Sequence, residues 1–220
     1  MTHFPRKQPV SRSQCLLLSI LCGMLMSVQA GADGSTGPVE MLTAMTDRVL
    51  VEIRNDPAIL EDDVRTRSLA EELILPNIDF RVASQWVLGK HWRTASPAQR
   101  EAFVGEFRAL LVNTYLRSLN KYQDYTVRIL SARPGQPDGR AVVDAEVLQP
   151  EGPPIKFLFR LHTRKNDWLV YDIVVEGVSL VATHRSGFAT QIRDKGLDSL
   201  IAHLVVRNGS EATAAGIAEQ

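Results

Sequence analysis

The chain has 220 residues, with 25 basic and 25 acidic side chains and a formal charge of zero at neutral pH. Three of the basic residues and none of the acidic ones lie in the first thirty positions, so the remainder carries 22 basic residues (25 − 3) against 25 acidic, a charge of −3. This acidic excess argues against a nucleic-acid partner, which requires a basic surface.

The first thirty residues have the pattern of a secretory signal peptide. Basic residues precede an uncharged apolar run from Cys15 to Val28, and Ala30 is a small residue at a position that a signal peptidase reads. The run of about 14 residues is shorter than the roughly 20 that span a bilayer. We therefore predict a cleaved leader, residues 1–30, and an exported mature protein. Cys15 and Cys22 both lie in this leader, so no disulfide or thiol chemistry is expected in the mature chain.

Two helices are predicted at the start of the mature chain. Apolar residues recur every three or four positions from Val39 to Ile53, which indicates one face of a helix. Asp56 followed by Pro57 predicts the cap and first turn of a second helix, which Pro76 ends.

Two further helices have clear start signals. Asp79 predicts the cap of a third helix, and Gly89 is suited to the residue that closes it. Ser96, Pro97 and Gln99 predict a capping box with proline at the first helical position. The helix that they begin is expected to run to about Tyr122.

From residue 125 the hydrophobic period changes to two, which predicts strands over 125–131, 140–148, 155–163 and 168–175. The breaks between them are short and rich in turn residues, as in an antiparallel meander. Alternation gives the first three strands one apolar and one polar face, and leaves the last strand ambiguous. The fold class expected is α+β, a four-stranded antiparallel sheet packed against several helices.

Helix returns after Ser179 and ends near residue 206. Residues 38–206 are predicted to form one domain, and residues 207–220 a disordered tail. Ser179, His184 and Asp172 could suggest a hydrolase, but the segment around Ser179 lacks the second glycine of a nucleophile elbow. The histidines are scattered, so no catalytic residue and no metal site are predicted.

Several motifs, in order, resemble the periplasmic phospholipid-binding proteins of the Mla lipid-asymmetry pathway, also called the toluene-tolerance family. They are LPNIDF at 75–80, VLGKHWRTASPAQREAF at 87–103 and VYDIVVEGVSLV at 170–181, followed by Arg185, Phe188 and Gly196. Two positions depart from the family pattern, His184 where many relatives have tyrosine and Gly187 where a polar residue is common.

The resemblance implies a periplasmic carrier with an apolar cavity between sheet and helices that holds the acyl chains of a phospholipid. The phospholipid is cargo, and no cofactor is expected. The implied partners are an outer-membrane lipoprotein complex and an inner-membrane ATP-binding-cassette (ABC) transporter complex, between which a monomer would shuttle lipid to maintain outer-membrane lipid asymmetry. Two alternatives remain open: an enzyme that acts on small apolar substrates in the same cavity, with Asp172 or Glu176 as acid or base, and an interaction module with a filled core.

The lipid-binding residues are predicted on the apolar face of the sheet, near its mouth and on two helices that would close it. They are Tyr125, Val127, Ile129, Val143, Val147, Phe157, Phe159 and Leu161 on the sheet; Tyr171, Ile173, Val175 and Val178 near the mouth; and Phe107, Leu111, Tyr115, Phe188 and Ile192 on the helices.

Overall fold

The structure is a computed structural model that describes residues 37–116 and 126–217, with side chains described as far as residue 210. These residues belong to one compact unit, Ser35–Gln220. The predicted leader and Tyr125 lie outside the described residues, as does the predicted continuation of the fourth helix to Tyr122.

Seven α-helices and two short 3₁₀ turns, Pro57–Glu61 and Leu75–Asn77, are present in the described part of the chain. The helices are α1 Pro38–Asn55, α2 Asp63–Leu73, α3 Phe80–Leu88, α4 Lys90–Thr94, α5 Pro97–Tyr115, α6 Leu180–Lys195 and α7 Leu197–Ile217. None of those over residues 37–116 and 126–217 combines the length and the apolar character needed to cross a bilayer.

The helix starts follow their capping residues, with one correction. Asp79 accepts a hydrogen bond from the Val82 N–H, and Ser96 and Gln99 form the complete capping box. Asp56, in contrast, precedes the 3₁₀ turn Pro57–Glu61 without a side-chain capping hydrogen bond, and its carboxylate pairs with Arg65. α2 begins after Asp62, whose side chain accepts from two backbone N–H groups.

Over residues 126–217 the sheet has five strands in the order β1-β2-β3-β4-β5, and each neighbouring pair is antiparallel. The strands are β1 Thr126–Pro134, β2 Arg140–Leu148, β3 Ile155–Arg164, β4 Asp167–Val175 and β5 Val178–Ser179. The α+β class is therefore confirmed, and the strand number is corrected from four to five. β5 has only two residues, too few to show a period in the sequence, and it pairs with β4 through a turn in which Glu176 and Gly177 have φ of 48° and 83°.

The two faces of the sheet differ in character, as alternation predicted. We call the apolar side the inner face; its cross-strand rows include Val127–Val147–Ile155, Ile129–Ala145–Phe157–Val175 and Val143–Phe159–Ile173. The opposite side, the outer face, carries charged pairs such as Arg133 with Asp144. α1 lies against β1 and β2, and its fully buried Leu42 packs with Val143, Leu161 and Val170 of the inner face.

A second core lies among the helices. α3, α5, α6 and α7 pack together around a set of buried side chains, which we call the helical cluster. Its buried members are Ala83, Val87, Leu88, Phe103, Phe107, Leu110, Val181, Leu200 and Leu204.

The sequence predicted that the domain ends at residue 206, and this is wrong because the residues just after it are helical and packed. α7 continues through Asn208, which is 8 % exposed and donates from Nδ2 to the backbone oxygen of Glu106 (3.0 Å) and to its Oε2 (2.7 Å). These residues were predicted to begin a disordered tail, but the contact of Asn208 with α5 holds them as helix. This contact is distant in sequence, so local propensity could not reveal it.

Candidate functional site

The inner face gathers most of the sheet residues that we predicted to bind lipid. Cross-strand pairing and packing bring the following residues onto it: Val127, Ile129, Val143, Val147, Phe157, Phe159, Leu161, Ile173 and Val175. The Phe157 and Phe159 rings have centroids 6.4 Å apart and are inclined by only 20°. The inner face is thus a continuous apolar surface across four strands.

The residues of the inner face are not all buried to the same extent. Where α1 crosses the sheet, Val143 and Leu161 have no exposed surface. Phe157, Ile173 and Val175, farther along β3 and β4, are only half-buried. A sheet face that belonged wholly to the core would be buried along its length, so this part of the inner face has apolar area left to accept a ligand.

Tyr171, which we predicted to bind lipid near the mouth of the site, does not lie on the inner face. The pairing of β3 with β4 shifts between Arg160 and Leu161, which leaves Tyr171 as the extra residue of a β-bulge. Its ring stacks on Trp86 (5.7 Å between centroids) and lies 6.0 Å from the ring of His162, a residue of the outer face. The bulge therefore decides which residues of β4 lie on each face of the sheet, and it places the Tyr171 side chain on the outer face.

The helical residues predicted to close the site, Phe107, Leu111, Phe188 and Ile192, belong to the helical cluster. The Phe188 ring meets Phe103 and Phe107 edge-on, at centroid distances of 5.9 and 6.1 Å. Phe107 is completely buried there. Their contact with bound lipid therefore stays a prediction, since the aromatic rings pack against one another.

Two predicted residues lie at element ends. Tyr115 is the last residue of α5 and is half-buried, and this burial raises the pKa of its phenol, which therefore stays neutral at physiological pH. Val178 is 59 % exposed in β5, immediately after the turn at Gly177. An exposed valine at a tight turn is consistent with the predicted place at a mouth, where it would meet lipid or a partner.

Asp172 organises the start of α6. Its buried carboxylate accepts hydrogen bonds from the Ser179 hydroxyl (2.9 and 2.8 Å to the two oxygens) and from the Val181 N–H (3.2 Å), and it pairs with Arg160 (2.8 Å). Ser179 in turn accepts from the Ala182 N–H and caps the helix. A single acid between apolar residues of a strand was the only signal for this role in the sequence.

The arrangement around Ser179 is not that of a catalytic triad. His184 packs its ring against Phe107 and Phe188, at centroid distances of 5.8 and 5.5 Å, and its buried Nε2 has no hydrogen-bond partner among the described residues. Ser179 donates directly to Asp172, with no histidine between them. The described residues also contain no group of three or more His, Cys, Asp or Glu side chains placed to hold a metal ion.

Comparison with known proteins agrees with this architecture. Residues 43–205 match the family model described as MlaC protein. The chain is 26 % identical over 190 residues to the intermembrane phospholipid transport system binding protein MlaC of Haemophilus influenzae, covering 84 % of this chain and 88 % of that one.

A solved structure shares the fold as well as the sequence pattern. The phospholipid-binding protein of Ralstonia solanacearum, determined in complex with a phospholipid, superposes with a TM-score of 0.70 at 29 % identity, over 78 % of this chain and 97 % of that chain. Because the family model spans most of the residues that form the helices and the sheet, the chain belongs to the MlaC protein family.

Proposed function

We propose that this protein is a periplasmic phospholipid carrier. After cleavage of its leader near Ala30, the monomer would hold the acyl chains of a glycerophospholipid against the inner face and carry them between an outer-membrane lipoprotein complex and an inner-membrane ABC transporter complex. Its task would be to maintain the lipid asymmetry of the outer membrane. Family membership and the phospholipid complex of the Ralstonia solanacearum relative support the cargo.

The observation that carries the proposal is the uneven coverage of the inner face. Phe157, Ile173 and Val175 form an apolar surface that the chain itself covers only in part, whereas Val143 and Leu161 under α1 are sealed. Acyl chains are flexible and purely apolar, so they can fill such a surface without polar partners. The cavity lies, in this proposal, between the inner face and the helices.

The energetics of the cargo constrain how it moves. Two acyl chains present about 30 methylene groups, each worth about 0.8 kcal/mol on leaving water, so the gross gain on burial exceeds about 20 kcal/mol. Release into water is therefore negligible, and the carrier must exchange its lipid directly with another apolar surface. Direction then comes from the partner complexes and the ATP that the transporter hydrolyses.

An enzymatic role for the same surface has less support. The two acids that could serve it, Asp172 and Glu176, already have structural hydrogen bonds: Asp172 accepts from Ser179 and Val181, and Glu176 accepts from the Lys156 N–H through Oε1. A carboxylate with these partners holds the backbone in place and is poorly positioned to accept a proton from a substrate.

Two neighbouring residues of β3 provide a matched test. Phe157 lies on the inner face and Leu158 on the outer face, and both are half-buried. The wild type should carry phospholipid through purification in native mass spectrometry. Phe157→Ser should retain several-fold less, because a hydroxyl replaces apolar contact with the chains, and Leu158→Ser should retain the wild-type amount at a similar cost in stability.

Urea unfolding of both variants would show that they fold. A wild-type protein that holds no phospholipid even after incubation with phospholipid vesicles would contradict the carrier function. Equal lipid retention by the two variants would contradict the assignment of the inner face.

A further inference from the structure

A basic patch lies where α3, α4 and α5 meet. Residues 80–100 contain four basic side chains and no Asp or Glu, in a protein whose mature part has an acidic excess. We define the basic patch as Arg81, Lys90, Arg93 and Arg100, together with Arg185 of α6. None of these residues belongs to the inner face, and the proposed lipid binding does not use them.

Stacking and hydrogen bonds orient two arginines of the patch, Arg81 and Arg100. The guanidinium carbons of Arg81 and Arg100 each lie 5.4 Å from the ring centroid of Trp92. Arg100 also donates from Nε to the Trp92 backbone oxygen (3.0 Å) and from Nη2 to that of Arg93 (3.2 Å). Guanidinium groups held in this way lose little freedom when a partner binds.

Gly89 brings Arg185 to the patch. This residue links α3 to α4 with φ of 55°, and a Cβ at its position would lie 3.0 Å from Nη2 of Arg185. Glycine therefore permits both the backbone turn and the close approach of α6. The Arg185 guanidinium therefore lies against Gly89, the residue that precedes Lys90, and extends the patch onto the helix that follows β5.

The positive charge of the patch is poorly compensated. Among the ion pairs of the described residues, the patch takes part only in that between Arg81 and Glu101 (3.3 Å), whose side chains are 51 % and 78 % exposed. An ion pair this exposed to solvent contributes little to the stability of the fold. Lys90, Arg93 and Arg185 are exposed as well.

We propose that the basic patch is the docking surface for an acidic face of a protein in the membrane complexes that exchange lipid with this carrier, an inference that rests on the proposed function. Guanidinium forks bind carboxylates in a bidentate geometry that fixes the orientation of a protein partner. Trp92, at the centre of the patch, is half-buried against the helical cluster, so the patch offers charge without an exposed Trp92 ring to anchor in a bilayer. A partner bound here contacts α6, the helix that begins beside Val178, and so sits close to the proposed mouth.

The test uses the mature protein and two purified complexes, the outer-membrane lipoprotein complex and the inner-membrane ABC transporter complex, each in phosphatidylcholine nanodiscs. Binding is measured by biolayer interferometry at about 50 mM and about 300 mM NaCl, because screening weakens exposed charge pairs. Empty nanodiscs of phosphatidylglycerol report any attraction to anionic lipid. The double variant Lys90→Glu and Arg93→Glu is compared with Arg48→Glu and Arg54→Glu, which reverse two exposed charges on α1.

The wild type should bind at least one complex more weakly at the higher salt, and the patch variant should lose about tenfold or more in affinity while the α1 variant stays near wild type. Failure of the wild type to bind either complex, equal losses in both variants, or patch-dependent binding to the empty anionic nanodiscs would overturn the proposal. Native mass spectrometry of the patch variant should still find phospholipid. Absence of phospholipid from the wild type would refute the carrier function, but it would not decide whether the basic patch binds protein.

Discussion

His184 is a titratable side chain in an aromatic environment. It stacks on Phe188 and meets Phe107 edge-on, and its Nε2 is buried with no hydrogen-bond partner in the described part of the chain. Burial lowers the pKa of its imidazole from the usual value, and the positive charge of Arg207 lowers it further. The folded protein therefore favours the neutral ring.

This shift makes stability depend on pH. The imidazole titrates near 6.5 in the unfolded chain and lower in the folded one, so the unfolded state binds more protons as the pH falls through that range. The contribution of His184 is thus fully present above pH 6.5 and is lost as the pH falls toward the folded pKa. His184→Gln, which cannot titrate, should lose less unfolding free energy than the wild type between about pH 7.5 and about pH 5.5 in urea titrations. A variant with the same or a steeper loss would contradict this account.

At the scale of elements, the connection from β4 through β5 to α6 depends on one carboxylate. Asp172 holds the Ser179 hydroxyl and the Val181 N–H while it pairs with Arg160 of β3. The chain reverses direction between these contacts, at Glu176 and Gly177. Removal of the carboxylate would leave the first turn of α6 without its attachment to the sheet.

Asp172→Ala should therefore reduce the free energy of unfolding by about 2–3 kcal/mol, because hydrogen bonds to a buried charged group are lost. Asp144→Ala is the matched control, since it removes an outer-face carboxylate that pairs with Arg133 but is 38 % exposed. The control should cost less than about 1 kcal/mol. Urea unfolding of both variants provides the comparison, and similar losses would show that the Asp172 contacts do not anchor α6.

Local signals in the sequence located most elements. The capping box at Ser96 and the cap at Asp79 set helix starts, and turn-rich breaks set the strand ends. These features act within a few residues, so they can be read without knowledge of the fold. The bulge at Tyr171 could not be read, because it depends on how β4 pairs with β3.

At the scale of the whole molecule, the residues that the structure describes form two apolar centres. The helical cluster is filled by its own aromatic side chains, whereas part of the inner face, including Phe157 and Val175, is only half-buried. In the proposed function, lipid supplies the missing apolar contacts of the inner face. Bound phospholipid should then stabilise the folded protein, because only the folded chain presents the inner face to which the lipid binds.

Removal of lipid should make this contribution measurable. Protein that is unfolded, extracted with solvent and refolded should melt lower than lipid-loaded protein, on the order of 5 °C or more, and incubation with phospholipid vesicles should restore the midpoint. Thermal unfolding followed by circular dichroism gives the midpoint, and native mass spectrometry confirms the lipid content. An unchanged unfolding midpoint after complete removal of lipid would contradict the proposal that bound lipid completes the apolar packing of the inner face.

The sequence alone determined the caps at Asp79 and Ser96, the strand period, the apolar side of the meander and the resemblance to the family, because each rests on residues close together in the chain or on motif order. The tertiary structure decided that Tyr171 faces outward, that Phe107 and Phe188 pack among helices, and that Asn208 extends α7. It also brought Arg185 beside the loop before α4. These features arise from contacts between distant segments, whose pairing is fixed only when the chain folds.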